Sequence, residues 1–276
     1  MTAQDTTLVI GATGKTGRRV AERLRSRDVP VRAGSRSGEP PFDWDDRSTW
    51  GPALDGATSA YISFYPDLAV PGASEAIAAL AEAALESGTR RLVLLSGRGE
   101  EEAQRAEEAL QASGVPEWTI VRCSWFNQNF SEGDFLELVL AGELALPVGA
   151  VPEPFVDVED IADVATAALT EDGHAGRLYE LTGPRLLTFE EAVGEIAAAA
   201  GRQVRYVQVP LDAWAAEMAA ADVPDGVVAL MSFLFTEVLD GRNAQLASCV
   251  QEALGREPRD FRDFARTTAA AGVWTP

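Results

Sequence analysis

Residues 8–20 read LVIGATGKTGRRV: a short apolar run, then Gly11, Gly14 and Gly17 three apart, then the start of an amphipathic segment studded with arginine. This is the order strand, tight turn, helix. Glycine permits the turn and lets an anion approach the backbone N–H groups at the helix start, where their dipoles converge. A glycine triplet with a strand before it and a helix after it is the pyrophosphate-binding turn of a doubly wound sheet. A dinucleotide is therefore expected on Gly11, Thr13, Gly14, Lys15, Thr16 and Gly17. Lys15 is the only lysine in the chain, and its position suggests a contact with the cofactor phosphates.

Outward from this turn, apolar runs alternate with helical periodicity. TTLVI from Thr6, VPVRAGSRS from Val29, PFDW from Pro41, ATSAYISF from Ala57, RRLVLLSG from Arg90 and EWTIVRCS from Glu117 read as strands. Between them lie helices, with arginines outward on the first after Gly17 and a long one from Gly72 that stops at Gly88. Such alternation indicates an α/β fold with a parallel, doubly wound (Rossmann) sheet over residues 1–124. Residues 151–184 add a short strand at PFVD, a helix and a further strand, and are expected to return to the sheet. Residues 125–150 and 185–276 read as a smaller, mostly helical substrate lobe over the carboxyl edge. It contains a capping box from Thr188 to Glu191, a strand at QVRYVQV, and helices around Trp214, over 225–240 and over 243–254.

Composition excludes several functions. The 276 residues carry a net charge of −20 with 46% hydrophobic residues, which opposes a nucleic-acid surface and supplies a sizeable core. The single histidine, His174, removes multi-histidine zinc sites, and no metal is expected. Cys123 and Cys249 follow no metal-ligand spacing and read as buried thiols. No segment reaches the ~20 apolar residues of a membrane span, and the first residues lack a secretory signal. A cytoplasmic protein, monomeric or homodimeric, with a small-molecule partner is expected.

Two positions narrow the chemistry. After the second strand, Ser35, Arg36 and Ser37 stand where NAD-binding chains carry an acid for the ribose 2′-hydroxyl; a guanidinium with two hydroxyls suits a 2′-phosphate, so NADP(H) is the expected cofactor. The tyrosines are Tyr61, Tyr65, Tyr179 and Tyr206, and none has a lysine four residues on. The Tyr-Lys pair that protonates the alkoxide in ketone-reducing short-chain dehydrogenases cannot exist here.

GATGKTG, RLVLLSG, ALQASGVPEWTIVRCSWFNQNFSE, PFVDVEDIADVA and YELTGP resemble the NmrA-like branch of atypical short-chain dehydrogenase/reductases. Within that branch VRAGSRS, FDWDDRSTW, SWFNQNFSE and FRDFARTTAAAGVW are most similar to ergot-alkaloid reductases of the agroclavine and festuclavine dehydrogenase type. The resemblance implies NADPH-dependent hydride transfer to an iminium or imine, with a quinone as a second acceptor class. An iminium is neutralised by hydride directly and needs no proton donor in that step, so positioning replaces acid catalysis. The branch also holds redox-sensing regulators that bind NADP without turnover, and ketone reduction with a substitute acid is a third reading.

Ligands of such sheets sit at the carboxyl ends of the strands. There SFYPD offers Phe64 to pack on the cofactor, Tyr65 as a substitute acid and Asp67 beside the substrate. LLSGRG offers Ser96, for the carboxamide or the substrate, and Gly97. Trp125, Phe126 and Asn129, with Met231 and Phe235 from an apolar helix, are candidate walls for an aromatic or cationic substrate; core packing and helix capping are the competing readings. Asp157 and Asp160 read as helix-start carboxylates.

Overall fold

The computed structural model describes residues 5–133 and 135–275. The opening apolar run is strand β1 (Thr6–Ile10), and the glycine turn leads into helix α1 (Lys15–Ser26). There follow β2 (Val31–Gly34), α2 (Trp50–Leu54), β3 (Ala57–Ile62), α3 (Ala73–Glu86), β4 (Arg91–Gly97), α4 (Glu101–Ala112) and β5 (Glu117–Cys123). Next come α5 (Asn129–Glu132), α6 (Phe135–Ala141), β6 (Glu143–Leu146), α7 (Val158–Thr170), β7 (Arg177–Leu181), α8 (Phe189–Ala200) and β8 (Arg205–Gln208). The chain ends through α9 (Leu211–Ala220), α10 (Asp225–Phe233) with a π-helical turn at Leu234–Val238, α11 (Cys249–Leu254) and α12 (Phe261–Ala270).

Six strands form one parallel sheet in the order β2-β1-β3-β4-β5-β7. From β1 the chain crosses one way to β2 and the other way to β3, so the ends of β1 and β3 flank the topological switch point where such sheets bind ligands. Leu92, Val93 and Leu94 of β4 and Ile120 and Val121 of β5 are fully buried, as strands covered on both faces must be.

The chain divides into two compact units, Met1–Cys123 with Val158–Leu181 and Cys249–Arg256, and Ser124–Asp157 with Thr182–Ser248 and Glu257–Pro276. In the first, α1 lies on α7: Arg19 and Arg23 bond Glu159 at 2.5 Å each, and Arg23 bonds Asp163 at 2.6 Å. The α1 arginines expected to face outward thus include two that are spent on a neighbouring helix. Arg256 reaches the same helix and pairs with Asp160, which is wholly buried, at 2.7 Å. The expected helix over 243–254 begins only at Cys249, and the sheet unit, not the lobe, takes residues 249–256.

The second unit is built on aromatic rings: Phe130, Phe155, Phe189, Phe261 and Trp274 are at most 2% exposed and meet edge-on or tilted, and the Trp274 indole donates to the Phe130 carbonyl at 2.9 Å. Its α8 opens with the expected capping box, Thr188 Oγ1 accepting from Glu191 N and Glu191 Oε2 from Thr188 N, and ends at Gly201 in the left-handed region. A two-stranded parallel sheet pairs β6 with β8.

Two expected strands are not strands. PFDW is a turn closed by a bridge between Asp43 and Asp46, with the Trp50 indole donating to the Asp43 carbonyl at 2.7 Å. Proline lacks an N–H, and the aspartates bond their own local backbone, so the segment has little to offer a ladder. PFVD makes a single bridge, Phe126 to Val156.

Candidate active site

The glycine turn is held from both sides. Gly11 has φ +76°, and its N–H donates to the Gly34 carbonyl at 3.0 Å, tying the turn to the end of β2; Gly14 N–H donates back to the Gly11 carbonyl at 2.9 Å. A Cβ on Gly17 would collide with the Gly11 carbonyl oxygen, whereas one on Gly14 would stand 3.3 Å from it. Gly17 is thus a glycine because α1 presses on the turn, whereas a methyl on Gly14 would make a tight contact with the same carbonyl without overlapping it. Among the described residues no side chain caps α1 at Gly14 and no acid lies in its first turn, which suits an anion at the helix start. Thr13 and Gly14 are exposed, Lys15 half-buried, Thr16 and Gly17 buried. These residues fit a pyrophosphate.

Beyond β2 the Ser35 carbonyl accepts from Gly38 N at 3.0 Å and Phe42 N at 2.9 Å. This closed turn holds Arg36 and Ser37 out in solvent, with the Ser35 and Ser37 hydroxyls 3.4 Å apart. No hydrogen bond or ion pair engages the Arg36 guanidinium among the described residues. It is an uncommitted cation, in contrast to Arg19, Arg23 and Arg32, which all bond protein atoms.

At the exits of β3, β4 and β5 the structure rearranges several expectations. Phe64 packs on Trp44, ring centroids 4.6 Å apart, in a cluster with Phe42 and Trp50. Tyr65 is 73% exposed. Ser96 is buried, and its hydroxyl proton goes to Glu107 Oε1 at 2.5 Å; Glu107 is clamped in turn by both Arg122 Nε, at 2.9 Å, and its Nη2. Ser96 therefore donates into α4, a different partner from the carboxamide or substrate expected of it. The space in front of Gly97 is filled by the Glu100 carboxyl, which faces that of Asp67. Burial raises both carboxyls above their usual range, Glu100 strongly.

In the second unit Trp125 is sandwiched between Phe235 at 5.9 Å and Phe135 at 6.3 Å, with interplanar angles of 15° and 5°. Phe235 is 3% exposed, while Phe126, Asn129 and Met231 are half-buried. Trp125 and Phe235 thus belong to a packed aromatic stack rather than presenting free ring faces. Helix α10 has no fully buried residue. Asp157 accepts from Gln128 Nε2 at 2.7 Å and lies 3.5 Å from Asn127 Nδ2, so this acid braces the Asn127-Gln128 turn.

The sequence matches the NAD(P)H-binding family over residues 11–172, more than half of the chain. The chain belongs to that family. It is 33% identical to the (4-alkanoyl-5-oxo-2,5-dihydrofuran-3-yl)methyl phosphate reductase of Streptomyces griseus, over 96% of this chain and 98% of that one. It is 29% identical to the agroclavine dehydrogenase of Claviceps fusiformis, over 94% and 96%. Among solved structures it shares the fold of an NADPH-dependent quinone oxidoreductase of Escherichia coli complexed with NADPH, with a TM-score of 0.78 at 20% identity over 95% of this chain and 99% of that one. The motifs that resemble the clavine dehydrogenases thus belong to a likeness that runs along nearly the whole chain.

In this member of the NAD(P)H-binding family the tyrosines other than Tyr65, the one histidine and Cys123 are packed against protein. Tyr61 is wholly buried and Tyr206 donates to the Val148 carbonyl at 2.6 Å; burial pushes the Tyr206 phenol up to about 12. Tyr179 meets His174 Nδ1 at 2.8 Å beside the start of β7, on the amino edge, and burial lowers the His174 pKa. Cys123 is a buried thiol whose pKa burial raises well above the ordinary value, while Cys249 is half-buried. Among the described residues no group of three or more His, Cys, Asp or Glu could hold a metal, and no helix is long and apolar enough to cross a membrane. Sequence reading missed Glu100, Glu107 and Arg122, whose meaning depends on neighbours far away in the chain. Arg122→Ala should lower stability by about 3 kcal/mol, because it strands the Glu107 charge inside; a denaturant titration at neutral pH checks this, and Arg122→Lys should recover part of the loss.

Proposed function

We propose that the protein is a cytoplasmic NADPH-dependent reductase, monomeric or homodimeric, that delivers hydride to an iminium, imine or quinone acceptor without a Tyr-Lys pair. When bound, the reduced nicotinamide supplies the hydride. Gly11, Thr13, Gly14, Lys15, Thr16 and Gly17 hold the pyrophosphate, and Ser35, Arg36 and Ser37 hold the 2′-phosphate. Phe64 and Gly97 border the cofactor further along the carboxyl edge.

The observation that carries this reading is the commitment of the chain's polar groups. Its one lysine lies in the phosphate turn, and of its four tyrosines only Tyr65 stands exposed. An acceptor that does not depend on a Tyr-Lys acid suits such a protein: an iminium needs no proton for hydride addition, and a reduced quinone is a phenolate, a weaker base than an alkoxide. The net charge of −20 also draws cationic acceptors toward the protein. NADPH consumption measured with a cyclic iminium, a para-quinone and a simple ketone tests the reading. Turnover of either of the first two well above the ketone supports it, and a preference for the ketone contradicts it.

A further inference from the structure

The exits of β3 and β4, neighbours in the sheet, bring Asp67 and Glu100 face to face. Glu100 is 8% exposed, and among the described residues Glu100 Oε2 has no hydrogen-bond partner. Asp67 is less buried, and its Oδ1 accepts the Ala69 N–H at 2.8 Å. Two carboxylates cannot bond each other, whereas a proton on one of them makes an O–H···O bond and gives the buried carboxyl the partner it lacks. The surrounding charges favour that proton. Glu107 of α4 adds negative charge to Glu100, Cys123 at the end of β5 is a neutral thiol, and the nearby Arg98 guanidinium is committed to Glu180 at 2.5 Å.

We propose that Asp67 and Glu100 share one proton and deliver it, through the more accessible Asp67, to the oxygen of a reduced quinone-type acceptor. This rests on the reductase reading above. Hydride from NADPH converts the quinone into a hydroquinone monoanion; the O–H bond of the carboxyl pair then breaks, the second O–H bond of the hydroquinone forms, and the pair, left as two carboxylates, regains a proton from water. An iminium draws nothing from the pair, because hydride alone neutralises it. The placement at the carboxyl ends of β3 and β4, beside the switch point, is what distinguishes this pair from an ion cluster elsewhere on the surface.

Glu100→Gln keeps the side-chain shape and removes the acid. Infrared spectra of the cofactor-free protein at neutral pH should show a protonated-carboxyl C=O band that shifts in heavy water and is lost in the variant. Stability gives a second readout. The folded-state pKa of Glu100 is raised above its usual value of 4.5, so its contribution is present below that value and is lost as pH rises through the folded pKa. The melting temperature of Glu100→Gln should therefore gain on that of the wild type as pH rises above the usual carboxylate range. In turnover, the variant should lose about 100-fold more with a quinone than with an iminium. Absence of the carboxyl band, a melting difference that ignores pH, or equal losses with both acceptors would overturn the proposal. A protein that consumed NADPH with neither acceptor would sink the reductase reading and the delivery step with it, while the band and the melting profile would still decide whether the proton is shared.

Discussion

Gly17→Ala is expected to damage both the fold and cofactor binding, while Gly14→Ala damages chiefly binding. The Gly17 Cβ would drive into the Gly11 carbonyl oxygen and stand 3.1 Å from Ala12 N, and backbone cannot swing aside as a side-chain tip can. The strain of overpacking costs about 1–3 kcal/mol, and relieving it moves α1 away from the turn. With the N–H groups displaced, one or two charge-assisted hydrogen bonds to phosphate are lost, which is about 10- to 100-fold in NADPH affinity. Gly14 is exposed and its Cβ meets only the Gly11 carbonyl at 3.3 Å, so the same methyl there mainly narrows the anion's approach. Thermal melts and calorimetric NADPH titrations of both variants check this. Equal stability loss in the two would mean that the turn is not organised by the contact between α1 and Gly11.

Arg36→Asp should weaken NADPH binding by about 100-fold and leave NADH binding unchanged or tighter. A guanidinium bond to a phosphate is worth about 1.5–3 kcal/mol, and the aspartate adds repulsion of the 2′-phosphate while offering the ribose hydroxyl an acceptor. That Arg36 has no partner among the described residues matters here, because removing it breaks no ion pair there and so costs little stability. Titration of wild type and variant with both dinucleotides, at two ionic strengths, checks this, and the difference should shrink with salt. Equal loss for both cofactors would remove the 2′-phosphate from this turn.

The turn was legible because its signal is local: glycine spacing, a strand before it and a helix after it are all contiguous in the chain. The same holds for β4, whose unbroken apolar run Leu92–Leu95 goes with full burial of Leu92, Val93 and Leu94, and for the capping box at Thr188 and Glu191. What sequence could not show is pairing across the sheet. Ser96 looks free for a ligand until α4 brings Glu107 against it, and Glu100 reads as the first acid of a helix until β3 places Asp67 opposite. PFDW misleads for a local reason, since its alternating aromatics imitate a strand while its proline and aspartates prefer a turn. The arginines of α1 look solvated because their partners on α7 come from a segment that returns much later in the chain.

The most direct test of hydride transfer is a single turnover with NADPH carrying deuterium at both C4 positions of the nicotinamide and a cyclic iminium as acceptor, followed by mass spectrometry of the amine. The expected result is one deuterium on the former iminium carbon, with an unchanged yield in Arg122→Lys once that variant is shown to fold. Tight binding of NADPH with no deuterium in the product, repeated with quinone acceptors that also leave the cofactor unoxidised, would contradict the account and make the protein a dinucleotide-binding regulator instead.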